Sequence, residues 1–117
     1  MSPAQLRDHV VSALDDLKGV NIVAIEVTDI TTITDYMVLA SGTSNRHVKA
    51  LVDEVIDAAK QADEKVVGVE GRETHEWVLI DLGDVVVHVM QQQAREFYDL
   101  ERLWADAPGE VDSEHIS

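Results

Sequence analysis

Two short stretches carry the residue types that do chemistry. In Ser41-Gly42-Thr43-Ser44-Asn45-Arg46-His47, hydroxyls, a guanidinium and an imidazole sit where a Gly turn runs into a helical pattern. Backbone amides at such a helix start can hold an anion. The same residues also serve as an ordinary cap after a tight turn. They are not a P-loop, because the Gly spacing and the following Lys are missing. The second stretch runs from His75 to Met90 and sets Trp77, Asp81, His88 and Met90 among aliphatic residues. His75-Glu76 opens like a zinc-protease motif but lacks the second His four residues on. Asp81 and Asp84 make a weak metal pair, since one lies on a strand face and the other in a turn. His9, His47, His75, His88 and His115 are scattered without ligand spacing. No catalytic residue, metal site or cofactor is therefore expected.

The elements that position these residues read as α/β. Ser2 and Gln5 form a capping box with Pro3 at the first helical position, and Leu6, Val10, Ala13, Leu14 and Leu17 follow as one stripe, with Lys18-Gly19 as the stop. Strands are expected over residues 22–27 and 36–40, joined by a Thr-rich connection. Thr43 or Ser44 then caps a helix carrying Val48, Leu51, Val52, Val55, Ile56 and Ala59. A short strand over 66–69 stands where a crossover would pair it in parallel with the strand before the helix. Strands over 77–82 and 85–90 and a last helix over 93–104, with Phe97, Leu100, Leu103 and Trp104, complete a mixed sheet of about five strands and about three helices. One domain over 1–107 and a polar, acidic tail over 108–117, expected to be disordered, account for the chain.

Gly83-Asp84 between β-branched runs reads as a two-residue hairpin turn, which fixes the register. Leu82 falls opposite Val85, Asp81 opposite Val86, Ile80 opposite Val87, Leu79 opposite His88, Val78 opposite Val89 and Trp77 opposite Met90. Opposed residues share a face. One face is aliphatic: Val78, Ile80, Leu82, Val85, Val87 and Val89. The other gathers Trp77, Leu79, Asp81, Val86, His88 and Met90, a composition suited to a surface that a partner covers. Two readings of this second face stay open: a docking surface, or core under the last helix. Asp81 favours exposure, because a carboxylate in a dry layer needs a partner and Val86 offers none.

Composition narrows the partner. The 117 residues contain no Cys and carry 23 Asp plus Glu against 9 Lys plus Arg, a net charge of −14. Such a surface disfavours nucleic acid and anionic membranes, whose binding rests on Lys and Arg, and favours a basic protein. The stretch MSPAQLRDHV lacks the basic region and apolar run that a signal peptide would show, and no apolar stretch approaches the roughly 18 residues needed to span a membrane. A cytoplasmic location is expected.

Four segments, "ITDYMVLASGTSNRHVKAL", "GVEG", "WVLIDLGDVVVHVM" and "YDLERLW", occur in the order found in the ribosomal silencing factors, the Iojap family, and the resemblance spans about residues 6–107. The strongly acidic tail and net charge stand outside that pattern. The resemblance implies a protein that binds the large ribosomal subunit through its ribosomal protein fourteen, blocks joining of the small subunit under nutrient limitation, and is often a homodimer when free. It also implies a fold similar to nucleotidyltransferases. Those enzymes hold two metal ions with an Asp-x-Asp pair on the strand after a Gly-Ser turn; here Gly42-Thr43 matches in part and residues 66–69 contain no Asp. The expected interface has Trp77 and Met90 as apolar anchors, Leu79 beside them, and Asp81 and His88 as polar contacts. Tyr98 and Glu101 form an edge, and Met37, Leu39 and Asp35 join if the second strand neighbours the hairpin. The competing functions are a nucleotide- or phosphate-handling enzyme using Gly42-Thr43-Ser44, and an adaptor with a non-ribosomal partner.

Overall fold

The computed structural model describes residues 1–98, with side chains described through residue 95. Its elements, in chain order, are α1 (Pro3–Asp16), β1 (Val20–Glu26), β2 (Tyr36–Gly42), α2 (Asn45–Gln61), β3 (Gly68–Glu70), β4 (Trp77–Asp81), β5 (Val85–Gln91) and α3 (Gln92–Tyr98). The five strands form one sheet in the order β1-β2-β5-β4-β3. This is the mixed α/β architecture expected from the sequence. The rest of the expected last helix, with Leu100, Leu103 and Trp104, and the acidic tail lie outside the described residues.

Local signals in the sequence set most of the boundaries. Ser2 Oγ accepts from the Gln5 amide at 3.1 Å while Gln5 Oε1 accepts from the Ser2 amide at 2.9 Å, so the capping box closes reciprocally. The stripe Leu6, Val10, Ala13 and Leu14 is buried, whereas Leu17, expected to continue it, is the C-cap and is exposed. Ser44, rather than Thr43, caps α2, its Oγ accepting from the His47 amide at 3.1 Å. α1 and α2 lie on the aliphatic face of the sheet, where Leu6, Val10 and Leu14 of α1 and Val48, Leu51, Val52 and Val55 of α2 meet Val38, Val78, Ile80, Val87 and Val89.

One pairing differs from expectation. β3 does not lie parallel to β2; it is an antiparallel edge strand on β4, with Val69 opposite Ile80. The parallel partner of β2 is β5, from Tyr36 opposite Val85 to Gly42 opposite Gln91. With three residues, β3 has little to bury and suits an edge, while β5, seven residues long and mostly buried, suits the centre. The crossover out of β2 therefore includes α2, β3 and β4 before the chain returns beside it.

Candidate functional site

The β4–β5 hairpin has the register expected from its turn, with Trp77 opposite Met90, Leu79 opposite His88 and Asp81 opposite Val86. Gly83, at φ +85, supplies the left-handed backbone that the first central position of a II′ turn demands. In the parallel register Met37 sits beside Val86 and Leu39 beside His88, so the face of Trp77, Leu79, Asp81, Val86, His88 and Met90 continues onto β2. α3, which follows β5 without a loop, folds back over one end of this face. Arg95 Nη1 donates to Ser41 Oγ at 3.1 Å and to the Asn21 carbonyl, fixing α3 across the ends of β1 and β2.

That helix divides the face in two. At its end Met90 is 0 % exposed and Met37 4 %, in a cluster with Val27, Leu39 and Ala94. Met90 was expected to be an apolar anchor for a partner and is instead core, because Ala94 of α3 lies over it; Met37 and Leu39 share the cluster. Beyond the helix, Trp77, Leu79, Asp81 and Val86 are only half-buried. Trp77 packs against the Met90 cluster, so this residue of the strip rests on core. The reading as core thus holds over the Met90 end, while the remainder of the face stays partly open to solvent.

The polar groups are less free than the sequence suggested. His88 is 7 % exposed, and its Nδ1 accepts from Trp77 Nε1–H at 3.0 Å. The ring is therefore the Nε2–H tautomer, and burial pushes it down to about 4 from its ordinary 6.5, so it is neutral near pH 7. A buried, neutral, bonded imidazole corrects the expectation of a surface polar contact. Asp81 Oδ1 accepts from the Gly83 amide at 2.8 Å, so its carboxylate has a partner two residues along its own chain rather than across the strand. The Asp84 carbonyl accepts from the amides of Asp35 and Tyr36 at 2.9 and 3.0 Å, which brings Asp35, Asp81 and Asp84 to one end of the sheet.

In the connection before Asp35, Ile33 is 86 % and Ile30 37 % exposed. Sequence reasoning passed over them as part of a Thr-rich loop. Ile at two positions in a segment otherwise made of Thr and Asp was the signal available. Of the two edge residues expected from the last helix, the side chain of Tyr98 and the whole of Glu101 lie outside the described residues.

The side chains of Thr43, Ser44 and His47, in and beside the Gly42-Thr43-Ser44 turn, are engaged in hydrogen bonds. Ser44 caps α2, the Thr43 amide donates to His47 Nδ1 at 3.0 Å, and His47 Nε2 donates to the Leu17 carbonyl at 2.9 Å. Gln91 Nε2 bonds Asn45 Oδ1 across the ends of the parallel pair. The turn thus ties β2, α2 and the end of α1 together. Among the described residues, no three His, Asp or Glu are grouped to hold a metal ion.

A family model described as "Ribosomal silencing factor during starvation" matches residues 1–117. The chain belongs to the ribosomal silencing factor family. Among curated relatives named "Ribosomal silencing factor RsfS", that of Haemophilus influenzae is 44 % identical over 86 % of this chain and 98 % of its own length. That of Chromobacterium violaceum is 47 % identical over 80 % and 77 %. A crystal structure of a Chromobacterium violaceum protein superposes with a TM-score of 0.88 at 42 % identity, covering 92 % of this chain and 89 % of that one. One of a Bacillus halodurans protein gives 0.79 at 38 %, covering 86 % and 94 %. Membership of the silencing-factor family makes translation regulation and ribosome association the setting in which the half-buried strip is to be understood.

Proposed function

We propose that this protein silences ribosomes by docking the half-buried strip of β4 and β5 onto the large subunit, through its ribosomal protein fourteen, so that the small subunit is sterically excluded. The observation that carries the reading is the strip itself: Trp77, Leu79 and Val86 lie half-buried on one sheet face beyond the cover of α3. Asp35, Asp81 and Asp84 rim it on a chain of net charge −14, which complements a basic protein surface. Ile33, in the connection that leads into β2, is exposed as well. The protein acts in this reading as a cytoplasmic steric block, with no reaction to catalyse.

Buried aromatic anchors carry most of the energy of such patches, so Trp77→Ala should weaken binding by about 2 kcal/mol or more, roughly 30-fold. Co-sedimentation with purified large subunits, together with a subunit-joining gradient, measures it. A folded Trp77→Ala protein that binds like wild type puts the interface elsewhere. In the free protein the same face is proposed to pair with a second copy, so docking and dimerisation compete; a dimer that binds subunits without dissociating counts against that.

A further inference from the structure

We propose that His88 is a positioning residue for the docking face: it holds the Trp77 indole by its N–H in the orientation that meets the partner, without touching the partner itself. The inference rests on the docking reading of the face and adds how its main anchor is kept in place.

Three observations carry it. First, the two residues sit diagonally on the hairpin, Trp77 opposite Met90 and His88 opposite Leu79, within reach of long aromatic side chains. Their rings are 5.9 Å apart between centroids and tilted by 49°, and Trp77 Nε1 lies 3.0 Å from His88 Nδ1. Second, the indole N–H is a donor only, whereas imidazole accepts at one nitrogen only when neutral. Burial of His88 keeps that lone pair available across the physiological range. Third, His88 is 7 % exposed and Met90 beneath the indole is 0 % exposed, while Trp77 itself is half-buried. The nitrogen edge of the indole is therefore turned along the face toward the buried His88, the ring packs against core, and the accessible remainder is apolar.

An anchor held this way has already lost its rotamer freedom on folding. A free one would lose it on binding, which weakens association by about 3- to 10-fold per immobilised side chain.

The test uses the full chain, labelled with nitrogen-15. A through-hydrogen-bond scalar coupling between Trp77 Nε1 and His88 Nδ1 is expected, with Trp104→Phe assigning the indole, since Trp77 and Trp104 are the two Trp residues. His88→Leu removes the acceptor at similar volume. It should keep the amide spectrum of the folded protein, shift the indole resonance, and bind purified large subunits about 3- to 10-fold more weakly. His88→Asn places Oδ1 near the position of Nδ1 and should restore both the indole resonance and the binding. Absence of the coupling in wild type overturns the proposal, as does wild-type binding by His88→Leu. Weak binding by a His88→Asn protein whose indole bond is intact also overturns it, because His88 would then meet the partner directly. If His88→Leu does not fold, the wild-type coupling and His88→Asn decide alone. Wild-type-like binding by Trp77→Ala overturns the docking reading instead, and the coupling still reports whether His88 holds the indole, so the two failures are distinct.

Discussion

A buried neutral imidazole makes stability depend on pH in a calculable direction. The His88 pKa falls from 6.5 to about 4 on folding, so between those values the unfolded chain binds a proton that the folded chain does not. Stability from this group is whole above about pH 6.5 and is lost as pH falls toward 4, by about 3 kcal/mol at most. Urea unfolding at about pH 7 and about pH 5 should show a drop in wild type that is smaller in His88→Asn, which has nothing to titrate there. Equal drops would mean that His88 is not held neutral. Carboxylates add their own losses mainly below about pH 5, so the comparison belongs above that. Single residues were legible only in part. Asp81 favours exposure by its charge and is half-buried on the open part of the face, while its partner, the amide of Gly83, is a local bond that the Asp-Leu-Gly order announces. Met90 looked equivalent to Trp77 because both share a face. Alternation assigns a face and says nothing about which part of it a later helix will cover.

Among the elements, the β3–β4 loop is built around one close approach. Gly71 has φ +91, and a Cβ placed there would lie 2.1 Å from the Trp77 carbonyl oxygen. Gly71→Ala must therefore strain the backbone and displace the start of β4, costing about 2 kcal/mol or more and moving Trp77 with it. Gly68 is the matched control, since a Cβ there meets nothing within 4 Å; Gly68→Ala should change stability by less than about 0.5 kcal/mol. Denaturant midpoints of the two variants measure the difference, and equal midpoints would mean that Gly71 does not hold the start of β4 in place. The hairpin, both long helices and the strand count were legible because each depends on short-range chemistry: a Gly turn, a capping serine, a helical stripe. The partner of β2 was not. Sequence order favoured β3, the next strand after the helix, but three residues cannot fill a central position between two helices and α3. Which strand occupies the centre is decided by how much each can bury on both faces, a property of the assembled sheet.

For the whole molecule, charge acts in two opposed ways on a ribosomal target. The net charge of −14 is repelled by the RNA of the subunit and attracted by a basic protein on it. Raising salt screens both, so a salt titration alone gives no clean sign. Position separates them. Asp84 is exposed at the hairpin tip beside the proposed docking strip, whereas Asp57 is exposed on α2, in the helical layer on the opposite face of the sheet. Asp84→Asn removes attraction at the rim, and should slow association and weaken binding about twofold to fivefold at low salt, fading as the Debye length drops below about 10 Å. Asp57→Asn removes only distant repulsion, and should leave binding unchanged or slightly tighter at low salt. Association rates with purified large subunits, measured for both variants across a salt series, decide it. If the two variants behave alike, the acidic surface acts through its total charge rather than through a complementary rim, and a basic protein loses its standing as the recognised surface.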